Sequence, residues 1–318
     1  MTVDVLMRID ETASDEDFKA VTNGLSMIEN LADSMPQETC KQFLEIPNFL
    51  PWLIKRVRAQ GTMDYNKARG FGGGWISEKK VSLLDARALQ HRRSDFLLVM
   101  VKLEGVDKLL RGIAAYRKRD PADSEESEYV QNMFDCLCSL MLLKANQLAF
   151  GRLQGLELMI RMMKERVFAS NLALKLADHA LRHCPENCQV FVEKLGLKVL
   201  FAIFMKRGAK TKKESEAKEL EEHVTSIVQS LCRYCTGTPV ARVLNKFVEN
   251  QFEKLERLLE MHEDGQPCKP SVAGNFPCRG FARRNHACLP TLSRHIGSPS
   301  LVAAEVSNCG VSREPTPA

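Results

Sequence analysis

Hydrophobic residues recur every three or four positions along most of this chain, which is the spacing of one face of an α-helix. The first such stripe follows Ser14, which forms with Asp17 a pattern typical of a helix start. Its members are Phe18, Val21, Leu25, Ile28 and Leu31. Later stripes comprise Val130, Phe134, Leu137 and Met141, then Leu172, Leu176 and Leu181, then Leu220, Val224, Ile227 and Leu231. Alternation typical of strands is nearly absent, so the sequence predicts an all-α body.

Two further helices are predicted from start signals next to apolar residues. Asn48 and Pro51 mark the start of one of them. A proline there is compatible with a helix, because proline is tolerated in the first turn. Asn250 and Glu253 mark the start of the other, which carries the apolar residues Phe252, Leu255, Leu258 and Leu259.

Three stretches interrupt the helical pattern. Residues 68–102 are expected to form an irregular insert, since they include four glycines within residues 70–74. Residues 119–128, RDPADSEESE, are expected to form an acidic turn. Residues 263–318 hold 7 of the 13 prolines, and we expect a disordered tail there. The predicted organisation is an N-terminal segment 1–14, a repeat domain 15–262 and this tail.

Four segments share one layout: a long helix, a polar turn, a short helix, a Gly or Pro, and another apolar helix. They are residues 25–57, 134–163, 172–205 and, more loosely, 224–260. The turn residues Gly155 and Gly196 are 41 positions apart. Periods in the forties are typical of repeats of two or three helices, which stack because none can bury its apolar face alone.

Composition narrows the class of protein. Apolar residues make up 44% and charged residues 27% of the 318 positions, the balance of a soluble globular protein. No apolar run is long enough to predict a membrane span, and the first ten residues lack the pattern of an export signal. The 11 scattered cysteines are therefore expected to be reduced thiols.

Charge is distributed unevenly. Residues 1–50 carry 3 basic and 10 acidic side chains, whereas residues 51–119 carry 16 basic and 6 acidic ones. Such a gradient is typical of surfaces for charged partners, although solvated helix faces give the same pattern. One alternative hypothesis is that the chain is a helical-repeat module that contacts RNA through segment 51–119.

No catalytic or metal site is predicted. The glycines of residues 70–74 lack the Lys-Ser/Thr of a phosphate loop. One candidate set of zinc ligands lacks the paired spacing of structural zinc sites. It comprises His179, His183, Cys184 and Cys188. The Cys232/Cys235 pair lacks the strand context of a redox motif, and no nucleophile with a neighbouring base stands out. We therefore expect a non-enzymatic protein with no cofactor.

The repeat layout resembles the armadillo repeat, in which a segment of the type A-L-x-N-L-A recurs. Residues 27–32, MIENLA, are similar to it. The chain is also similar to the β-catenin-like proteins of the spliceosome, an armadillo-like family. The strings that carry this resemblance are VTNGLSMIENLADSMPQ (21–37), LPWLIKRVRAQGTMDYNK (50–67), LEGVDKLL (103–110), MFDCLCSLM (133–141), LALKLADHAL (172–181), FVEKLGLKVLFAIFMK (191–206) and ARVLNKFVENQFEKLERLLEMH (241–262).

The resemblance implies an armadillo-like right-handed superhelix and a nuclear, non-catalytic scaffold in pre-mRNA splicing. Members of the family associate with the spliceosome-activating complex, which contains a ubiquitin ligase and a Myb-related splicing factor, and they bind basic localisation peptides of their partners. The family's N-terminal extension and further C-terminal helices have no counterpart here, so a shortened member is expected. Residues 68–102 and 263–318 do not resemble the family.

The resemblance also implies a groove for basic peptides. In armadillo importers an Asn bonds the peptide backbone and a Trp one turn earlier packs on Lys or Arg stems. Here the Asn position holds Asn30, Ser139, His179 and Ser230, and the Trp position holds Ser26, Asp135, Lys175 and Ser226. The tryptophan ladder is thus absent, and acidic residues are expected to attract basic peptides instead. These acids are Glu29, Asp33, Asp135 and Asp178.

Two other features are candidate sites. A basic loop resembling a lysine-rich loop of the family is a candidate localisation signal or RNA contact, with a solvated loop as the alternative. It comprises Lys206, Arg207, Lys210, Lys212 and Lys213. Ser124 and Ser127 lie among acids and are candidate phosphorylation sites. The expected partners are splicing factors, with a second copy of the chain and indirect RNA contact also open.

Overall fold

The structure is a computed structural model, and it describes residues 3–10, 13–55, 104–165, 167–205 and 214–264. Throughout these ranges the regular structure is helical, with one short 3-10 helix and no strand. The helices of the first half are α1 (Val3–Arg8), α2 (Asp15–Ser34), α3 (Pro36–Glu45), α4 (Phe49–Lys55), α5 (Gly105–Ala114), the 3-10 helix (Ala115–Arg117) and α6 (Ser124–Leu140). The others are α7 (Lys144–Arg152), α8 (Gly155–Glu165), α9 (Ala169–Leu181), α10 (Pro185–Glu193), α11 (Gly196–Phe204), α12 (Glu214–Tyr234), α13 (Gly237–Val248) and α14 (Glu253–Asp264).

The predicted all-α class and the four-segment layout are confirmed for this part of the chain. Each segment contains the end of a long helix, then a short helix, then an apolar helix. The three-helix sets are α2–α4, α6–α8, α9–α11 and α12–α14, and α5 lies between the first two of these sets. In each of the sets that begin with α2, α6, α9 and α12, the short helix contacts the apolar helix that follows it. The sequence repeat therefore corresponds to one packing unit.

A sharp corner precedes every apolar helix. Asn48, Glu104, Gln154, Leu195 and Phe252 each have a positive φ, between 55° and 67°, and each is followed directly by the first residue of an apolar helix. A left-handed conformation is unfavourable for side chains other than glycine, so its recurrence at equivalent positions shows that the packing of the repeat requires it.

Two consecutive repeats also share an Asn-Phe-Gly pattern around this corner. Asn146, Phe150 and Gly155 recur 41 positions later as Asn187, Phe191 and Gly196, and all six residues are buried. A Cβ atom on Gly155 would lie 2.7 Å from the ring of Phe150, and one on Gly196 would lie 2.5 Å from the ring of Phe191. Glycine therefore lets the short helix approach the apolar helix closely.

Contacts divide the chain into two compact units, Met1–Ala180 and Leu181–Ala318. In the first unit the apolar faces of α2, α5, α6 and α8 are buried. In the second unit three phenylalanine rings pack edge to face, with the centroid of Phe201 5.7 Å from Phe204 and 5.3 Å from Phe247. Burial of such apolar faces is the main source of stability for helices of this length.

The predicted apolar stripes coincide largely with the core. All four members of the stripe from Val130 to Met141 are buried, as are Val224, Ile227 and Leu231. The helix start at Ser14 is confirmed, because its Oγ accepts a hydrogen bond from the backbone N–H of Asp17 at 3.1 Å. Leu31 is an exception and is 45% exposed, because the buried face of α2 continues through Ile28 and Ala32 instead.

The prediction of an acidic turn over residues 119–128 is wrong in its second half. Helix α6 begins at Ser124, and Asp123 caps it by accepting a hydrogen bond from the backbone N–H of Glu126 at 2.8 Å. Acidic residues are favourable in the first turn of a helix, which explains why this stretch is helical despite its charge.

One helix was not predicted from the sequence, and two of the predicted segments lie outside the described residues. Helix α1 was not predicted, yet Leu6 is buried and α1 contacts α2 and α4. The expected insert 68–102 lies outside the described residues, as does the expected tail beyond Asp264. The boundaries drawn at residues 14/15 and 262/263 stay predictions.

Candidate peptide-binding surface

Two long helices of the first unit present polar residues side by side. The ammonium of Lys175 on α9 lies 2.9 Å from Oδ1 of Asp135 on α6, and these side chains are 31% and 25% exposed. Ser139 and His179 follow one turn later on the same two helices and are half-buried. We call these four residues the α6–α9 row. The structure thus pairs Asp135 with Lys175 and places two more of the aligned positions on the same two helices.

A hydrogen bond from the neighbouring short helix supports this row. The buried Gln147 of α7 donates from Nε2 to the backbone carbonyl oxygen of His179 at 3.0 Å. Such a bond satisfies a buried amide and fixes the distance between α7 and α9. The backbone that carries the row is therefore held in place by tertiary contacts.

Two of the expected groove residues are not at the surface. Asp178 is fully buried, and Ser230 on α12 is only 6% exposed. Asp178 follows Ala177 on the core side of α9, since the apolar face of that helix includes Leu174, Ala177 and Leu181. The expectation that Asp178 offers an exposed carboxylate is wrong, and we remove it from the candidate surface.

The remaining expected groove residues lie on α2. Asn30 is exposed at its position in that helix, and Glu29 and Asp33 lie on the same helix with side chains outside the described ones. Met27, Leu31 and Met35 are also exposed and succeed one another at four-residue steps. Helix α2 and its C-cap Met35 therefore expose apolar side chains in addition to Asn30.

The candidate phosphorylation sites lie in the first turn of α6. Ser124 is exposed and is the first residue of the helix. Ser127 is half-buried, and its hydroxyl donates to the backbone carbonyl oxygen of Asp123 at 2.8 Å. The two serines thus differ in accessibility. The basic loop Lys206 to Lys213 lies outside the described residues.

A buried polar cluster next to these serines was not anticipated. The carboxylate of Glu126 is almost fully buried and accepts hydrogen bonds from the hydroxyl of Tyr116 at 2.8 Å, from Arg119 and from the backbone N–H of Ala122. Burial, and then the hydrogen bond to Glu126, raises the pKa of Tyr116. The cluster joins the 3-10 helix to α6, and no short-range sequence signal predicts it.

The residues considered for metal binding, and the Cys232/Cys235 pair considered for redox chemistry, are buried or have polar partners. Cys184 and Cys188 are buried, and Nδ1 of His183 lies 2.5 Å from the hydroxyl oxygen of Tyr234. Burial raises the pKa of Cys232 to about 12 and that of Cys235 to about 11. Across the described ranges, no group of three or more His, Cys, Asp or Glu side chains is arranged to hold a metal ion.

Among the described helices, none alone is long and apolar enough to cross a bilayer. One pair, Glu126–Leu140 with Lys144–Arg152, meets the length and composition requirement together but is bent by 119°.

These repeats and their corners define the class: an all-α, armadillo-like helical-repeat protein. The sequence model of a family described as "Catenin-beta-like, Arm-motif containing nuclear" matches residues 1–271. The chain belongs to this β-catenin-like family, as the sequence resemblance predicted.

Individual relatives agree with this assignment. The chain is 37% identical over 265 residues to beta-catenin-like protein 1 of human and of cattle, which covers 82% of this chain and 44% of each relative. It is 33% identical over 263 residues to the fission yeast beta-catenin-like protein 1 homolog, with 81% and 43% coverage. The chain therefore spans less than half the length of these relatives.

A solved structure supports the fold. The crystal structure of an engineered protein from the Northeast Structural Genomics Consortium matches with a TM-score of 0.59 at 12% identity, over 92% of this chain and 98% of that one.

Armadillo-like and β-catenin-like proteins are non-enzymatic scaffolds, and a repeat scaffold that binds other proteins is the role that this family supports.

Proposed function

We propose that this protein is a non-catalytic nuclear scaffold of the pre-mRNA splicing machinery that binds basic, localisation-signal-like peptides of splicing factors. Membership of a family described as nuclear and Arm-motif containing supports the location and the scaffold role. The observation that carries the peptide-binding part is the ion pair between Asp135 and Lys175. This partly exposed carboxylate on α6 already binds the ammonium group of a lysine within the protein, which supports the proposal.

Lys175 occupies the place that a lysine of a bound peptide would take. A peptide ammonium would replace it or share Asp135 with it, while the hydroxyl of Ser139 and the amide of Asn30 are suited to bond a peptide backbone. An exposed ion pair contributes only about 0–1 kcal/mol, so several contacts have to act together to give micromolar affinity. We therefore expect weak binding of single motifs.

The matched test uses the full chain and a fluorescent lysine- and arginine-rich peptide. Asp135→Asn should weaken peptide binding by roughly threefold to tenfold, because it removes the carboxylate that binds the cation. Lys175→Met should strengthen peptide binding by a similar factor, because it removes the internal cation that competes for Asp135. Fluorescence anisotropy measures both. The control is Glu128→Gln, which removes an exposed carboxylate from the same helix.

Opposite signs for the two variants are the distinguishing result. Equal weakening by Asp135→Asn and Lys175→Met would mean that the ion pair only stabilises the fold. Equal weakening by Glu128→Gln would mean that the peptide responds to net charge alone. Either result would overturn the assignment of the α6–α9 row.

The splicing assignment has its own test. The tagged chain should co-purify from nuclear extract with components of the spliceosome-activating complex, identified by mass spectrometry. Asp135→Asn should reduce this recovery if the row is the contact. Recovery of no splicing factor by the unmodified protein would contradict the splicing role while leaving peptide binding to be judged by anisotropy.

Phosphorylation of Ser124 is proposed as a modification of this scaffold. Its phosphate would lie at the positive end of the α6 dipole, where negative charge is favourable. Ser127 is proposed as the poorer substrate, because its hydroxyl is half-buried and already bonded to Asp123.

A further inference from the structure

A shallow groove of about 420 Å³ lies in the first unit, between α5, the 3-10 helix and α8. Four basic residues line it: Arg111 on α5, Arg117 and Lys118 at the 3-10 helix, and Arg161 on α8. We call it the cationic groove. It uses α5 and α8, whereas the α6–α9 row uses two other helices, so the two surfaces are built from separate elements.

The charges in the groove are unbalanced. Asp107 and Glu157 are its acidic lining residues. Asp107 is already bound to Arg111, whose Nε lies 2.8 Å from its Oδ2. Arg117, Lys118 and Arg161 form no ion pair with any residue that the structure describes, and Lys118 and Arg161 are exposed. Within the described part of the chain, these three cationic side chains are not neutralised by a carboxylate.

Apolar residues complete the groove. Leu110 and Leu158 lie among its lining residues, and Leu153 at its edge is 43% exposed. None of the residues that line the groove is aromatic, so bases of a nucleic acid would find no ring to stack on. A peptide that combines acidic and apolar side chains fits this lining better than RNA does.

We propose that the cationic groove binds an acidic peptide segment of a partner protein. Its carboxylates pair with Arg117, Lys118 and Arg161, and an apolar side chain covers Leu153. The charge of this ligand is opposite to that of the basic peptide assigned to the α6–α9 row. The scaffold therefore has a second docking surface, and each of the two proposals is tested independently of the other.

The test uses the full chain and a fluorescein-labelled peptide of alternating glutamates and leucines. Arg161→Glu should weaken binding at least about fivefold, because it replaces an attraction by a repulsion. The matched control is Lys164→Glu, which makes the same charge change at an exposed position on α8 outside the groove. We expect this control to change affinity less than about twofold. Leu153→Ser should also weaken binding, which a purely electrostatic site would not show.

Two comparisons decide the outcome. A peptide with glutamine in place of glutamate should not bind, and binding of the acidic peptide should weaken as salt concentration rises. Equal losses in Arg161→Glu and Lys164→Glu would overturn the groove as the site. Tighter binding of a uridine oligonucleotide of equal charge, with the same dependence on Arg161, would overturn the peptide as its ligand.

Discussion

Glu126 is an acidic residue whose environment differs completely from that of its neighbours. It lies in a run of acids, yet its side chain is only 1% exposed and accepts three hydrogen bonds. A buried carboxylate is tolerated only when its oxygens are satisfied in this way. The cluster around it therefore fixes where the 3-10 helix ends and α6 begins.

Substitution of Glu126 tests this role. Glu126→Gln should lower the free energy of unfolding by about 2 kcal/mol, because the amide group would face donors and the charge opposite Arg119 would be lost. Denaturant unfolding measures the change. Glu128→Gln, two positions later on the exposed side of α6, should have almost no effect. Similar losses for both variants would mean that the cluster does not contribute to stability.

Single residues are where the sequence predicted least. Asp135 and Asp178 were equivalent as acids on long helices, but one is paired at the surface and the other is fully buried. The difference depends on which neighbouring helix covers each face, and that information is not local in the sequence. The partial exposure of Ser139 and His179 could likewise not be read from their spacing alone.

Elements were far more predictable, because helical periodicity and start signals are local. The stripes of α6 and α12 and the cap at Ser14 were all found from the sequence. The beginning of α6 was missed, since a run of acids resembles a loop unless Asp123 is recognised as a cap. The left-handed corners were also missed, because none of the five residues that adopt this conformation is a glycine.

The contact between short and apolar helices gives a prediction at this scale. Gly155→Ala should lower the free energy of unfolding by about 1–3 kcal/mol, because its Cβ would overlap the ring of Phe150. Thermal or denaturant unfolding measures the loss. In a Phe150→Leu background the same glycine substitution should cost less, since the ring is gone. Additive losses would show that the glycine is needed for another reason.

At the scale of the whole molecule, several buried groups stay neutral in the folded state. Burial raises the pKa values of Tyr116 and Tyr129 in the first unit, and those of Cys232 and Cys235 in the second. Each folded-state pKa lies above its unfolded value of 10.0 or 9.0, so the folded state disfavours ionisation. The resulting stability is fully present below those unfolded values and is lost as pH rises through the folded ones.

The melting temperature should therefore fall as pH rises above about 9. Calorimetry or circular dichroism over this range measures the slope. Replacing Cys232 and Cys235 together by alanine should reduce the slope between about pH 9 and 11, whatever it does to the melting temperature at neutral pH. A slope that is unchanged by this double replacement would contradict the assignment of raised thiol pKa values.

The recurring corner has a consequence for how such proteins change length. Gln154 and Leu195 adopt the same unusual backbone conformation 41 residues apart, and each is followed by a helix that begins with glycine. A genetic duplication or loss that runs from one of these points to the other would add or remove one complete module. The junction would join equivalent conformations, so the helices on either side would keep their phase.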